Sequence, residues 1–249
     1  MRFVGSIGMD GFGNQVRALL KAEGIDLTGL ATVDAATCVA AVWFDRQGRN
    51  QIAVASGANL STRADALRPE MLASGDWLVL QMEIPGREVA RAVAFAKGRG
   101  ARVILNLAPA LALDAATLRQ TDLLVLNEYE ASELCRYIGV PPSPPADLAA
   151  PISKLLGITV IVTLGPDGAV GAKGDLIWRA PSMPVKAIDT TGAGDCFVGV
   201  LAAAMDRGLD LPVATRRACA AAGMSCKLVG AAPSFPTGAE IDRVMDQPR

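Results

Sequence analysis

Eleven consecutive residues concentrate the chemistry open to this chain: Asp189-Thr190-Thr191-Gly192-Ala193-Gly194-Asp195-Cys196-Phe197-Val198-Gly199. Two glycines let backbone approach a ligand with no Cβ in the way. Phe197, Val198, Leu201, Ala202 and Met205 then recur at helical spacing, so the turn opens directly into a buried helix. The first N–H groups of a helix have no partner inside it, and the helix dipole favours an anion beside them. Asp195 falls in that first turn. An acid next to a site for negative charge suggests a base that deprotonates a hydroxyl while backbone amides hold a phosphoryl group. The same residues would equally serve a tight turn and a first-turn charge with no chemistry attached.

The elements that must position this turn alternate between short apolar strands and helices. Strands are expected at residues 1–7, 37–44, 51–55, 76–81, 102–105, 123–126, 159–163 and 169–172. Residues 175–179 pair back as a hairpin, and residues 183–188 read as a strand end leading into the key turn. Helices are expected at 14–23, 85–97, 128–137, 192–207, 212–227 and 237–245, the second with Val89, Ala92, Val93 and Ala96 on one side. Residues 8–13 and 45–48 read as turns, 56–59 as a loop, and the four prolines of 139–145 as a surface loop. This alternation argues for an α/β fold, a mostly parallel sheet covered on both faces, in one domain over residues 1–249. Ligands of such folds sit beyond the carboxyl ends of the strands. That rule selects Glu83, Asn106, Asn127, Glu130, the Thr163-Leu164-Gly165 turn and residues 189–195.

Composition narrows the class. The chain has 249 residues, 51% hydrophobic, with a formal net charge of −1 and no block of Lys or Arg, which argues against nucleic acid as a partner. No charge-free apolar run reaches membrane-spanning length, and residues 1–11 do not read as a signal peptide. The expected setting is cytoplasmic. Five cysteines without a Cys-x-x-Cys pair and with no histidine anywhere read as buried free thiols rather than a zinc set. Without histidine, any general base near neutral pH is a carboxylate, Lys, Tyr or Cys.

Two further constellations carry both a chemical and a plain structural reading. In Asn127-Glu128-Tyr129-Glu130 an amide and a carboxylate one helical turn apart can hold a hydrated magnesium ion, or can cap a helix. Thr163-Leu164-Gly165-Pro166-Asp167-Gly168 follows a strand and precedes a hairpin, and suits an ordinary Pro/Gly turn as well as a phosphate-facing loop.

In these motifs the chain resembles the ribokinase-like (PfkB) carbohydrate kinases. Asp-Thr-Thr-Gly-Ala-Gly-Asp is that family's most specific signature; Asn127-x-x-Glu130 and Thr163-x-Gly165-x-x-Gly168 match two more elements. The resemblance implies a three-layer α-β-α fold and ATP-dependent phosphorylation of the primary hydroxyl of a small sugar, D-ribose foremost. It implies Asp195 as catalytic base and substrate contact, with the Gly192, Ala193 and Gly194 amides as anion hole. It implies that Asn127, Thr163, Gly165, Gly168 and Gly194 lie along the nucleotide, with Glu130 serving magnesium. Cys219 falls where the family places a residue beside adenine, although a packed helix cysteine explains it equally. Gly230-Ala231-Ala232-Pro233-Ser234, with Asp189 and Thr191, resembles the family's monovalent-cation site. By position the oxygens of Ser225 and Leu228 would complete it with Gly230 and Ser234 around potassium; a Pro-capped turn is the alternative. Glu83 matches a sugar-contacting position.

Other parts of the family pattern are not found. Residues 1–8 align with a strand that the family reaches only after roughly 40 to 50 residues, so the first strand, the lid strands and the Gly-Gly-x-x-x-Asn sugar motif are expected to be missing from a domain truncated at its N-terminus. The sequence holds no Gly-Gly pair. The resemblance implies ATP, a sugar, magnesium and potassium as ligands. The homodimers that family lid strands often form are left open by the missing lid. A catalytically silent nucleotide-binding remnant, or a kinase for fructose, deoxyribose or a nucleoside, is the alternative function.

Overall fold

A computed structural model describes residues 1–44 and 50–246. The turn expected at residues 45–48 lies outside them. The chain divides into two compact units, Met1–Ser74 with Gln81–Ala101, and Gly75–Leu80 with Arg102–Arg249.

In the first unit, β1 (Arg2–Gly8), α1 (Gly11–Ala22) and β2 (Asp26–Val33) form a β-α-β element whose two strands pair in parallel. α1 begins at Gly11, ahead of the expected start, because the Asp10 side chain caps it by accepting the Gly13 N–H. β2 was not expected from the sequence pattern. Gly29 lies within it because a Cβ there would stand 2.7 Å from Val4 Cγ2 on the neighbouring strand. β3 (Val39–Phe44) and β4 (Asn50–Ala55) pair antiparallel, and the expected loop at 56–59 is part of a 3₁₀ turn, Gly57–Ser61. α2 (Gly86–Gly98) buries Val89, Ala92, Val93 and Ala96, the face its spacing predicts. It also buries Glu88, whose Oε2 accepts the Ala64 N–H at 2.9 Å and pairs with Arg91 at 3.2 Å. The carboxylate is therefore satisfied, and its pKa is held down, the Ala64 amide being the largest cause.

The second unit is built on a six-stranded sheet ordered β10-β9-β8-β7-β6-β5. β5 (Trp77–Leu80), β6 (Arg102–Asn106), β7 (Leu123–Asn127) and β8 (Thr159–Thr163) run parallel; β9 (Ala169–Lys173) and β10 (Leu176–Ala180) are antiparallel. One face packs Ile104, Leu123, Val125, Ile161 and Trp178 against α6 (Ala193–Asp206) and α7 (Leu211–Ser225). Residues of opposite parity, such as Leu124, Leu126, Val160 and Val162, are also buried, as a sheet covered on both faces requires. α4 (Glu128–Ile138) and α5 (Ala149–Leu156) pack on β7, β8 and β9, and α3 (Ala115–Gln120) packs on α5. α3 and α5 were not expected. Both are short, and Pro151 hides α5 from a propensity reading although proline is tolerated in a first turn. α8 (Gly238–Met245) rests on α7.

One expectation is corrected. Residues 183–188 form no strand. Pro184 lacks an N–H, and the Ile188 and Asp189 N–H groups bond to the Cys226 carbonyl at 2.8 and 3.3 Å instead of to a strand partner.

The Trp178 indole N–H donates to Thr215 Oγ1 at 2.9 Å inside the core, and its ring covers Gly171, where a Cβ would stand 2.1 Å from Cζ2. Thr215→Val keeps the shape and orphans that buried N–H. Denaturant unfolding of Thr215→Val is expected to show a loss of about 1–3 kcal/mol, largely spared in Thr215→Ser; equal losses in both would sink the hydrogen-bond explanation.

Candidate active site

The parallel strands β6, β7 and β8 end together, at Asn106, Asn127 and Thr163, and Asn127 and Thr163 are direct cross-strand partners. Asn127 caps α4: its Oδ1 accepts the Glu130 N–H at 2.8 Å, while Glu130 Oε2 accepts the Asn127 N–H at 2.7 Å. The helix-capping reading of this pair is thus realised in full. Glu130 is nonetheless unusual. It is 6% exposed, and desolvation, opposed by that single amide, pushes its pKa up. A cation at its remaining oxygen would relieve that cost. Among the described residues no cluster of three or more His, Cys, Asp or Glu side chains could form an all-protein metal cage. One buried carboxylate fits magnesium, which keeps most of its waters and takes few protein ligands.

Thr163 Oγ1 donates to the Leu126 carbonyl at 3.3 Å. Beyond it, Gly165 has φ +53° with open space around it, so its backbone can be approached closely. Gly168 has a structural duty: at φ +89°, a Cβ would stand 2.1 Å from the Ala180 carbonyl oxygen.

The turn before α6 is stapled to the segment after α7. Asp189 Oδ1 accepts the Thr191 N–H at 2.9 Å and Oδ2 accepts the Gly230 N–H at 2.8 Å. Hydrogen bonds from Thr191 and then Gly230 keep its carboxyl below the usual aspartate range, so it stays anionic. Ser225 is buried and its carbonyl takes the Leu228 N–H at 3.2 Å; Ser234 is buried and donates to the Ala231 carbonyl at 2.7 Å. Leu228 is exposed, and Gly230 adopts φ +98°. Asp189, Thr191, Ser225, Leu228, Gly230 and Ser234 therefore lie on the turn before α6 and on the end of α7 with the segment after it, which the ionised Asp189 braces together; hard oxygens of this kind suit a cation.

Gly192 is the N-cap of α6. Its φ is +76° and it offers no side chain to the first-turn amides. α1, α3, α4, α7 and α8 are each capped by a side-chain oxygen; α6, like α2 and α5, is not. The Ala193 N–H turns back to the Thr190 carbonyl at 3.2 Å, and the Gly194 and Asp195 amides are left for water or a ligand. Asp195 is open to solvent on one side, yet the protein around its carboxylate removes enough water to push its pKa up. An uncapped amide cluster with a desolvated carboxylate in the same turn can hold an anion and accept a proton beside it.

Beside this turn lies a cavity of about 470 Å³ lined by Met183, Pro184, Val185, Lys186, Ile188 and Lys227. Gly223 on α7 allows Met183 to pack close, since a Cβ there would stand 2.9 Å from Met183 Cβ. The sequence pattern gave Met183 no functional role and passed over Lys186 and Lys227. No motif flags them; only the loss of the expected strand opens this space. Cys219, by contrast, is packed in the core of the second unit, its Sγ 3.7 Å from the Ala180 carbonyl oxygen, and burial pushes its pKa up to about 12. Its geometry is that of a packed helix cysteine. Glu83 is an exposed residue of the first unit whose N–H donates to Gln81 Oε1.

A mostly parallel sheet with polar groups at its carboxyl edge, and a glycine-opened helix carrying a carboxylate, defines a phosphotransferase of the α/β class. The pfkB family carbohydrate kinase model matches residues 1–238. The chain belongs to that family. It is 35% identical to the ribokinase of Haemophilus influenzae over 242 residues, which cover 96% of this chain and 79% of that protein. It is 32% identical to the bifunctional ribokinase/ribose-5-phosphate isomerase A of Fructilactobacillus sanfranciscensis over 98% of this chain, and spans 46%, about half, of that longer protein. The structure of Arabidopsis thaliana ribokinase complexed with ribose and ATP superposes with a TM-score of 0.86 at 27% identity, covering 99% of this chain and 82% of that one. The fold is therefore ribokinase-like α/β. Among the described residues no helix is long and apolar enough to cross a membrane.

Proposed function

We propose that residues 1–249 act as one ribokinase-like kinase domain that transfers the γ-phosphoryl group of ATP to the primary hydroxyl of a small sugar, D-ribose foremost. The observation that carries this reading is the uncapped start of α6 with Asp195 in its first turn. Asp195 takes the proton of the sugar hydroxyl, whose oxygen attacks the γ-phosphorus in line as the bond to ADP breaks. The Gly192, Ala193 and Gly194 backbone, with the Asp195 amide, holds the charge developing on the transferred group. Asn127, Thr163, Gly165 and Gly168 face the nucleotide phosphates. The cavity at Met183, Val185 and Ile188 takes the base against apolar walls, with Lys186 and Lys227 as nearby cations. Magnesium, when bound through Glu130, neutralises charge on the nucleotide phosphates. Asp189 and Thr191, with oxygens of Ser225, Leu228, Gly230 and Ser234, hold a potassium ion that keeps the two loops in register. Glu83 binds sugar hydroxyls.

Relatives named for ribose support that sugar first; fructose, deoxyribose and nucleosides are the competitors. The test is steady-state phosphorylation of that panel with ATP and magnesium, with and without potassium. The highest kcat/KM is expected for ribose, with a several-fold gain on adding potassium. A higher value for another sugar reassigns the substrate, and indifference to potassium removes the cation site.

A further inference from the structure

In the first unit, Asp10 does more than cap a helix. Its Oδ1 accepts the Gly13 N–H at 2.8 Å and the Thr37 hydroxyl at 2.7 Å, and its Oδ2 accepts the Thr37 N–H at 2.7 Å. Thr37 Oγ1 accepts the Gly8 N–H at 2.9 Å. The carboxylate thus joins the first turn of α1 to the residue two places before β3, and Thr37 carries the link on to the end of β1. Capping α1 needs only the Gly13 bond; the two bonds to Thr37, 27 residues further on, serve something else.

That segment is gripped from both sides. A Cβ on Gly8 would stand 2.2 Å from the Ala35 carbonyl oxygen and 2.7 Å from Thr37 N. Opposite, the Ala36 carbonyl accepts the Ala58 N–H at 2.8 Å, and a Cβ on Gly57 would stand 2.1 Å from that oxygen. Thr37 is buried. The next residue, Cys38, is partly exposed, and its thiol feels the Glu83 carboxylate: burial first, then that charge, raises its pKa. Asp10 itself is held below the usual aspartate range, chiefly by the Thr37 amide, so at neutral pH both its oxygens are acceptors.

We infer that Asp10 is a positioning residue for the sugar: through Thr37 it fixes Cys38 and the base of the β3–β4 hairpin beside Glu83, and so shapes the wall that sugar hydroxyls meet. This rests on the reading of Glu83 as a sugar contact. Asp10 touches no substrate. Its effect is to remove slack from a segment whose displacement by an ångström would misalign the sugar.

The experiment measures KM for the sugar, KM for ATP and kcat, with thermal unfolding midpoints alongside, in Asp10→Asn, Thr37→Val, Thr37→Ser and Glu83→Gln. Asp10→Asn keeps the shape but turns one acceptor into a donor. It is expected to raise sugar KM about tenfold, leaving kcat and ATP KM within about twofold. Thr37→Val should do the same and Thr37→Ser should restore the wild-type value. Lower midpoints with unchanged sugar KM in both Asp10→Asn and Thr37→Val would overturn the proposal and leave a purely structural clamp. Should Asp10→Asn fail to fold, Cys38→Val reports in its place, and an unchanged sugar KM there also overturns it. Glu83→Gln separates the two layers. If its sugar KM is unchanged, the sugar role of Glu83 fails; if that KM rises while Asp10→Asn is silent, only the clamp fails.

Discussion

Asp195→Asn is expected to lower kcat by about 10²- to 10⁴-fold, the range that a positioned general base supplies, while ATP affinity stays near that of the wild type. Asparagine keeps the size and the first-turn position but cannot take the sugar proton. The α6 amides and the braced loops at Asp189 are untouched by the change, so nucleotide binding has no reason to fail. The environment of Asp195 adds a pH signature. Desolvation by the surrounding protein raises its pKa above the usual aspartate range. Only the carboxylate form accepts a proton. As pH falls, the wild type should therefore lose kcat/KM at milder acidity than an ordinary aspartate would dictate, and the variant's residual rate should lack that limb. Undiminished phosphorylation by Asp195→Asn would remove the residue from the chemistry.

Gly192→Ala is expected to have the second largest effect. At φ +76°, an L-residue costs about 1–2 kcal/mol. The new methyl would also stand 2.8 Å from Ala231 Cβ, 3.1 Å from Ala231 Cα and 3.2 Å from Phe235 Cε1. Ala231 and Phe235 flank the segment that Gly230 ties to Asp189, so relief of the clash moves the loop pair that presents the α6 amides. A fall in kcat/KM of about 100-fold is expected from a displacement of this size, together with a lower unfolding midpoint. Gly194→Ala provides the stability control: Gly194 has no positive φ and nothing within 4 Å of a built Cβ, so its midpoint should hold. Equal loss of stability in both variants would mean that the crowding at Gly192 is not the cause.

The α/β class and the carboxyl-edge residues were legible in the sequence because each depends on local pattern. Val89, Ala92, Val93 and Ala96 recur at helical spacing, and all are buried on α2. Asn127 and Glu130 were legible in two ways at once, since capping a helix and serving a cation ask for the same residue types at the same spacing. What sequence could not supply were contacts made across long separations. The β2 pattern is masked in the sequence by Gly29, whose purpose is visible only when Val4 lies beside it on β1. Residues 183–188 look like a strand until the Cys226 carbonyl, far along the chain, is found taking the N–H of Ile188 and then that of Asp189. The cavity at Lys186 and Lys227, and the Asp10–Thr37 clamp, follow from such contacts and carry no motif.

The most direct test of the account is whether this chain transfers phosphate at all. With ATP, magnesium, potassium and ribose or its closest competitor, phosphorus NMR should show a sugar phosphate ester and ADP accumulating together in equal amounts, dependent on both the sugar and Asp195. Bound ATP that stays intact across the whole sugar panel would contradict it and leave a nucleotide-binding protein without turnover.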